Sequence, residues 1–245
     1  MPMSKKQKCE YIKPVHLSQN FMFRNLFKLF SKAASQKQNG ESKGADDFPK
    51  VSWLEAHQNP FGIRVLDYRS FSKSALCFAP DSGVAEKFLK LRNSAGENHR
   101  NQLPKNALHI KCNLRYNFEE KITDGSVFVA KVMQDRWNIY LYEDFLYFTN
   151  SWSGELLIRA GVDFKDNEFI VSVIDIRSDL AKRDKSLAVR QADYLIKSHL
   201  CRCEVPSPLP KNFPNDPKQI ALYSFSFYGR MSSYATYEDT TLIKT

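Results

Sequence analysis

The most regular pattern in the chain is an alternation of apolar and polar residues. Apolar residues occupy every second position from Leu108 to Tyr116, and polar residues lie between them. Successive side chains of a strand point to opposite faces, so this pattern predicts a strand with one buried face. The sequence predicts five further strands, at 126–133, 137–142, 145–150, 155–164 and 168–177.

Short connections join these predicted strands. The pair Glu143 and Asp144 is a two-residue hairpin connection, and a tight turn at 151–154 leads into the next strand. Connections this short place consecutive strands side by side, antiparallel to each other. We therefore expect an antiparallel meander in which neighbours in sequence are neighbours in space.

Three helices are predicted around the sheet. Asp81 or Ser82 caps the first, in which apolar residues recur at helical spacing up to Leu91. The second covers about 186–200. The apolar segment 220–228 fits a strand or a helix, and we favour a helix because Asp216 and Pro217 form a good cap and first turn. The sum is an α+β fold: a single body built around one antiparallel β-meander with two or three packed helices.

Composition supports a packed body. The chain has 245 residues, 42% of them hydrophobic, and its 18 Phe and 11 Tyr favour aromatic sheets over a helical bundle. No internal repeat is visible, nine Gly and 11 Pro are too few for a low-complexity chain, and the proline-rich stretch at 205–217 predicts an extended crossing.

Charge divides the chain into two parts. The first 43 residues carry nine Lys or Arg against two Glu, which is seven of the nine net positive charges. The other 202 residues carry 27 basic and 25 acidic side chains. We interpret residues 1–34 as a basic arm, 35–47 as a flexible linker without large apolar residues, and 48–245 as the globular domain. Because this domain is nearly neutral, we expect no specific nucleic-acid binding.

The arm itself predicts a basic amphipathic helix within residues 20–34. One face is cationic and the other is apolar. Such a helix can lie on an anionic membrane surface, occupy a partner's groove or pack on its own domain, and the sequence leaves these alternatives open. The residues that would contact a membrane or partner are Phe23, Arg24, Phe27, Lys28, Phe30 and Lys32.

Cysteines and hydropathy indicate the compartment. The five cysteines are unpatterned, and the start of the chain lacks the features of a signal peptide. No stretch reaches the roughly 18 apolar residues that span a bilayer. We expect a cytoplasmic protein with reduced thiols, whose arm could place it at the periphery of the inner membrane.

Familiar catalytic and cofactor motifs do not occur. The five histidines lie in unrelated contexts without a GxSxG turn, and Cys201 and Cys203 lack a second ligand pair at zinc spacing. Phosphate-binding glycine runs are also missing. We therefore predict no cofactor and no metal.

Polar clusters at strand ends are the remaining candidates for a site. A short apolar run at 63–66 also has strand character, and Asp67 and Arg69 lie at its end. Asp135 and Arg136 precede the predicted strand at 137–142. Strand ends often carry functional residues, but an Asp beside an Arg also commonly stabilises a turn. We favour the turn interpretation, and keep Asp67, Arg69 and Asp135 as weak catalytic candidates.

Aromatic residues supply the binding candidates. Trp152 lies in a tight turn, where it either packs beneath its hairpin or contacts a ligand. Near the end of the chain, Tyr228 and Arg230 belong to an interleaved aromatic and cationic segment. With Arg136, these residues are the candidate binding residues.

Several segments resemble a family of uncharacterised bacterial proteins. They are FPKVSWLEA with NPFGIRVLDYR, then NSWSGEL, then IKSHL with VPSPLPKNFP, and ALYSFSFYGRMSSYATYEDT. The resemblance covers most of the chain after the linker and implies a bacterial, intracellular protein with a single body. It implies no activity and no catalytic residue.

Two classes of function fit these observations. The favoured one is a non-enzymatic interaction or adaptor protein, whose body binds a protein partner and whose arm docks on a membrane surface or a second partner. The alternative is an enzyme, for example a hydrolase, with a site assembled from sequence-distant residues such as Asp67, Arg69, Asp135 and Trp152.

Overall fold

A computed structural model describes residues 48–117, 122–165, 167–181 and 184–243. All of these residues belong to one compact unit. The predicted basic arm and the linker lie outside the described residues.

A six-stranded antiparallel sheet forms the larger part of the fold. In order across the sheet, its strands are β3, β8, β7, β6, β5 and β4. The prediction that sequence neighbours pair is confirmed from β4 to β8. Strand bounds are Ala107–Asn117 (β3), Gly125–Phe128 (β4), Trp137–Tyr142 (β5), Phe145–Asn150 (β6), Leu156–Lys165 (β7) and Glu168–Arg177 (β8).

The first two strands of this sheet along the chain, β3 and β4, depart from the prediction. β3 pairs with β8 and not with β4. Both β3 and β8 are long, with 11 and 10 residues, whereas β4 has four and could cover little of β3. The predicted strand at 126–133 is too long, because Asn138 Oδ1 and Asp135 Oδ2 accept backbone N–H groups of residues 130–132 and fold them into a turn.

The hairpin between β5 and β6 forms as predicted. Glu143 and Asp144 have φ values of 50° and 61°, the left-handed conformation that two-residue hairpin turns require. The strands pair in register from Trp137 opposite Asn150 to Tyr142 opposite Phe145.

A second, four-stranded sheet was not predicted, and the expectation of one sheet is wrong. Its order is β1-β2-β10-β9, and the β9–β10 pair is parallel. The apolar run at 63–66 indicated β2, but strands of two or three residues are too short to show a period of two, so the sequence pattern missed the other three strands. Their bounds are Ser52–Leu54 (β1), Val65–Asp67 (β2), Ser207–Pro208 (β9) and Tyr234–Thr236 (β10).

The helices confirm the predicted caps. Asp81 accepts a hydrogen bond from the Val84 amide, and Asp216 accepts one from the Gln219 amide with Pro217 at the first helical position. Two short helices add to the three predicted ones. Their bounds are Arg69–Ser74 (α1), Ser82–Arg92 (α2), Ser178–Ala181 (α3), Lys185–Leu195 (α4) and Pro217–Tyr228 (α5), and a π-helical turn, Ile196–Leu200, continues α4.

Helix α4 occupies the centre of the core. It packs against β3 and β8 of the large sheet and against β9 of the small one, and its π-helical turn contacts β4. Its apolar residues Ala188, Ala192 and Leu195 and the following Ile196 are buried, and so is its polar face. The polar face is buried because the guanidinium of Arg190 and residues further along α4 hold the C-terminal segment over it.

The described helices were also searched for membrane spans. None of them combines the length and the apolar character that crossing a bilayer requires.

Candidate functional site

Asp135 anchors the loop between β4 and β5. Its side chain is 1% exposed, and its Oδ2 accepts the backbone N–H groups of Lys131 and Val132 at 2.8 and 3.2 Å. Its Oδ1 lies 2.6 Å from the Nε of Arg230, a residue 95 positions later. A buried carboxylate needs such partners, since desolvation of an unpaired charge is costly.

Arg136 is a buried cation without a direct carboxylate partner among the described residues. The residue is 2% exposed, its Nη2 lies 3.1 Å from the Cys77 sulfur, and its buried Nε has no partner in the described structure. The guanidinium carbon lies 4.1 Å from the centre of the Trp152 ring, a cation–π contact. Burial lowers the pKa of Arg136, although the charge of Asp135 opposes the shift.

Trp152 reaches Arg136 because Asn150 builds the turn between β6 and β7. The Asn150 Oδ1 accepts the backbone N–H groups of Trp152 and Ser153, as an Asx turn does. Ser151 fixes this turn to the loop: its hydroxyl donates to the Asp135 carbonyl at 2.6 Å, and its N–H donates to the Arg136 carbonyl. The Trp152 Nε1 donates to the Met133 carbonyl at 2.9 Å, so the ring packs on its own chain while remaining half-buried.

Gly229 brings Arg230 to Asp135. Its φ is 79° and its ψ is −164°, a conformation almost restricted to glycine. A Cβ at this position would lie 2.5 Å from the Gln134 carbonyl oxygen. The close approach lets the Arg230 N–H donate to that carbonyl, and it places the guanidinium on Asp135.

These contacts join four of the candidate residues from the sequence in one place. We call this group the Arg136 cluster; it consists of Cys77, Asp135, Arg136, Trp152 and Arg230. Three of the seven exposed large apolar residues in the described chain adjoin it: Leu76 and Phe78 flank Cys77 and are 64% and 73% exposed, and Val132 is in the Asp135 loop.

His199 lies close enough to Asp135 for the carboxylate to influence it. Burial lowers the pKa of His199 to about 4, and the charge of Asp135 opposes part of that shift. Its Nδ1 lies 2.8 Å from the Ser198 hydroxyl, which donates to the Tyr194 carbonyl. At neutral pH this histidine is therefore a neutral core residue.

The other candidates take different positions. Asp67 and Arg69 bond each other, with Arg69 Nη2 2.7 Å from Asp67 Oδ2, and the Arg69 cation lies over the Tyr234 ring. The Asp67–Arg69 bonds lower the pKa of Asp67, although burial opposes the shift. Tyr228 is in the core, where its hydroxyl donates to the Pro208 carbonyl and its ring packs on Tyr194.

A second polar group lies on the larger sheet. Asp175 is buried and accepts both Nε and Nη2 of Arg159 at Oδ2, and its Oδ1 lies 2.9 Å from the Nδ1 of the exposed His109. These residues face one another across three neighbouring strands. Among the described residues, no group of three His, Cys, Asp or Glu side chains is arranged to hold a metal ion.

Sequence reasoning missed two residues of the site. Cys77 gave no signal, because an isolated cysteine in an irregular segment matches no motif. Gly229 did carry one: a glycine directly after a predicted helix commonly takes a positive φ. Interpreted in that way, Gly229 would have predicted a sharp change of direction just before Arg230.

Comparison of the chain with protein-family models, with curated proteins and with solved structures finds no match. The resemblance to a family of uncharacterised bacterial proteins therefore stays a prediction.

Proposed function

We propose that this protein is a non-enzymatic interaction or adaptor protein whose body binds a partner protein at the surface around the Arg136 cluster. The observation that carries this proposal is that two exposed apolar side chains, Leu76 and Phe78, flank the cysteine that contacts the Arg136–Trp152 pair. Exposed Leu76 and Phe78 flank Cys77, whose sulfur contacts Arg136. Exposed apolar groups beside aromatic and Arg residues are typical of protein interfaces.

The catalytic alternative has weaker support. Both carboxylate oxygens of Asp135 already accept hydrogen bonds, Oδ2 from two backbone N–H groups and Oδ1 from Arg230. Asp67 and Arg69 pair with each other at the start of α1. These bonds stabilise loops and occupy the carboxylate oxygens that general-base catalysis would use.

The basic arm supplies the second half of the proposal. Its charge sets it apart from the nearly neutral remainder of the chain. We assign it the role of docking the protein on an anionic membrane surface or on a second partner.

A selection with random peptides displayed on phage tests the partner-binding surface without a known partner. Full-length protein is the bait, and each enriched clone is assayed against Leu76→Ser/Phe78→Ser. The matched control is Leu103→Ser/Leu242→Ser, which removes two exposed leucines that do not flank Cys77.

We expect clones that bind wild-type and control protein equally and lose at least about tenfold in affinity for Leu76→Ser/Phe78→Ser, the scale of a hot-spot residue. A selection without enriched clones, or clones that bind all three proteins alike, contradicts the proposed surface.

A further inference from the structure

The charges of the Arg136 cluster do not balance. Two guanidinium groups, Arg136 and Arg230, face one carboxylate, Asp135, which bonds directly to Arg230. Among the described carboxylates, that of Asp135 interacts with the Arg136 charge. The Arg136 cation is buried and its Nε has no partner in the described structure, so solvent screens its positive field only weakly. The cluster therefore has an excess of one positive charge.

The excess charge is accessible through Arg230. Its side chain is 48% exposed, and its Nε makes the bond to Asp135. The planar guanidinium has further donors that suit a carboxylate. An anion at Arg230 would lie in the field of the buried Arg136.

Two further lysines lie in segments that contact this part of the fold. Lys131 is exposed and its backbone N–H bonds Asp135, which places it at the cluster. Lys73 is exposed on α1, a helix that packs against the turn containing Arg230. The apolar Leu76 and Phe78 follow within a few residues of Lys73. Positive charge and apolar area thus occur side by side.

We propose that the surface around the Arg136 cluster recognises an acidic peptide segment of the partner, in which an Asp or Glu side chain pairs with Arg230 and a neighbouring large apolar side chain packs on Leu76 and Phe78. This inference rests on the proposed function and names the chemistry of its partner. Electrostatic complementarity supplies specificity and apolar contact supplies affinity. Trp152 holds the Arg136 guanidinium in place through its ring.

The test uses the enriched phage clones, resynthesised as labelled peptides. Each peptide is titrated against full-length wild-type protein, Arg230→Gln and Arg136→Met. The matched control is Arg115→Gln, which removes an arginine of β3 that is 55% exposed and ion-paired to Glu168 of β8. A second set of peptides has each Asp or Glu replaced by Asn or Gln, so the experiment does not depend on the folding of any variant.

We expect an excess of acidic residues in the enriched peptides. Binding should weaken about tenfold for Arg230→Gln and for the amide peptides, and less for Arg136→Met, with little change for Arg115→Gln. Raising the salt concentration should weaken the acidic peptides and leave the amide peptides nearly unchanged.

The two proposals fail in different ways. Peptides that depend on Leu76 and Phe78 but contain no acidic excess, and that bind Arg230→Gln as they bind wild type, overturn the acidic-segment inference and leave the proposed function standing. Peptides that depend on neither Leu76 nor Phe78 overturn the proposed function itself.

Discussion

At the scale of single residues, a buried neutral histidine lies close to Asp135, and a strained glycine positions Arg230. His199 belongs to the π-helical turn that follows α4, and the charge of Asp135 acts on it. Turns of this kind frequently occur at functional sites. Gly229 permits the backbone contact that brings Arg230 to Asp135. Both positions make predictions about stability that do not require a known partner.

His199 predicts a loss of stability in mild acid. Its pKa is about 4 in the folded protein, below the ordinary value of 6.5. The unfolded chain therefore takes up a proton near pH 6.5 that the folded chain takes up only near pH 4. Stability from this group is full above pH 6.5 and falls as the pH approaches 4, by up to about 3 kcal/mol.

Urea unfolding at neutral pH and near pH 4 measures this loss. We expect His199→Gln to show a smaller decrease in unfolding free energy than wild type across that interval. The control is His57→Gln, which changes an exposed histidine. Equal decreases in wild type and His199→Gln would show that the buried imidazole does not cause the acid sensitivity.

Gly229→Ala tests the close approach of the backbone. The new Cβ meets a carbonyl oxygen at 2.5 Å and the positive φ adds strain, so we expect a loss of at least about 2 kcal/mol in unfolding free energy. Gly62→Ala is the control: its φ is also positive at 67°, but nothing lies within 4 Å of its Cβ, and about 1 kcal/mol is expected. Similar losses for both variants would contradict the crowding at Gly229.

At the scale of elements, α4 explains how the C-terminal segment is held. The Nζ of Lys197 donates to the backbone carbonyls of Thr240 and Ile243 at 2.9 and 2.7 Å, and Arg190 binds the carbonyls of Tyr237 and Glu238. Two buried cations on one helix thus fix the segment that follows β10.

Lys197 is also the counterion of a buried acid. Its Nζ lies 2.9 Å from Asp193 Oδ2, and the Tyr116 hydroxyl donates to Asp193 Oδ1. Burial raises the pKa of Asp193, so the carboxylate depends on Lys197 to remain charged.

Lys197→Met should therefore be strongly destabilising, by about 3–5 kcal/mol in chemical unfolding, because it leaves Asp193 without its counterion. Lys165→Met removes a lysine from an exposed pair with Asp163 and should cost under about 1 kcal/mol. Adding Asp193→Asn to Lys197→Met should recover part of the loss. Equal effects of the two lysine substitutions would show that Lys197 contributes no more than a surface charge.

Elements with a clear period could be predicted from the sequence, and those without one could not. The bounds of β5, β6 and β8 match the pattern, and Asp216 with Pro217 correctly marked the start of α5. The small sheet is made of strands too short to show a period.

The sequence predicted several residues of the site but not that they lie together, because their contacts join distant parts of the chain. Asp135, Trp152 and Arg230 were each selected separately, but a bond between residues 95 positions apart follows from the fold and not from a local pattern. The burial of the polar face of α4 is likewise a tertiary effect, since no helical period reveals a C-terminal segment packed over it.

At the scale of the whole molecule, the concentration of positive charge in the arm predicts that the arm binds anionic membranes. The triple variant Arg24→Glu/Lys28→Glu/Lys32→Glu reverses the three cationic residues of the helix predicted within the arm. Co-sedimentation of full-length protein with vesicles containing anionic lipid should fall to background for this variant, because attraction of the arm to the lipid is lost.

The control for charge alone is Lys87→Glu/Lys90→Glu/Lys211→Glu, which changes three exposed lysines of the body and alters the net charge equally. It should sediment as wild type does. No binding by wild type, or an equal loss in both triple variants, would contradict the docking role of the arm.

The central claim is that the surface around the Arg136 cluster contacts a partner protein through an acidic segment. The most direct measurement places a photo-crosslinking amino acid at Phe78 of the full-length chain, in cells that make the protein, and identifies the crosslinked peptide by mass spectrometry. Leu103, also exposed, is the control position. We predict a discrete adduct at position 78 that is missing at position 103, diminishes with Arg230→Gln and maps to a partner peptide with Asp or Glu beside a large apolar residue. The same adducts at both positions, or an adduct at position 78 that Arg230→Gln leaves unchanged, would contradict the account.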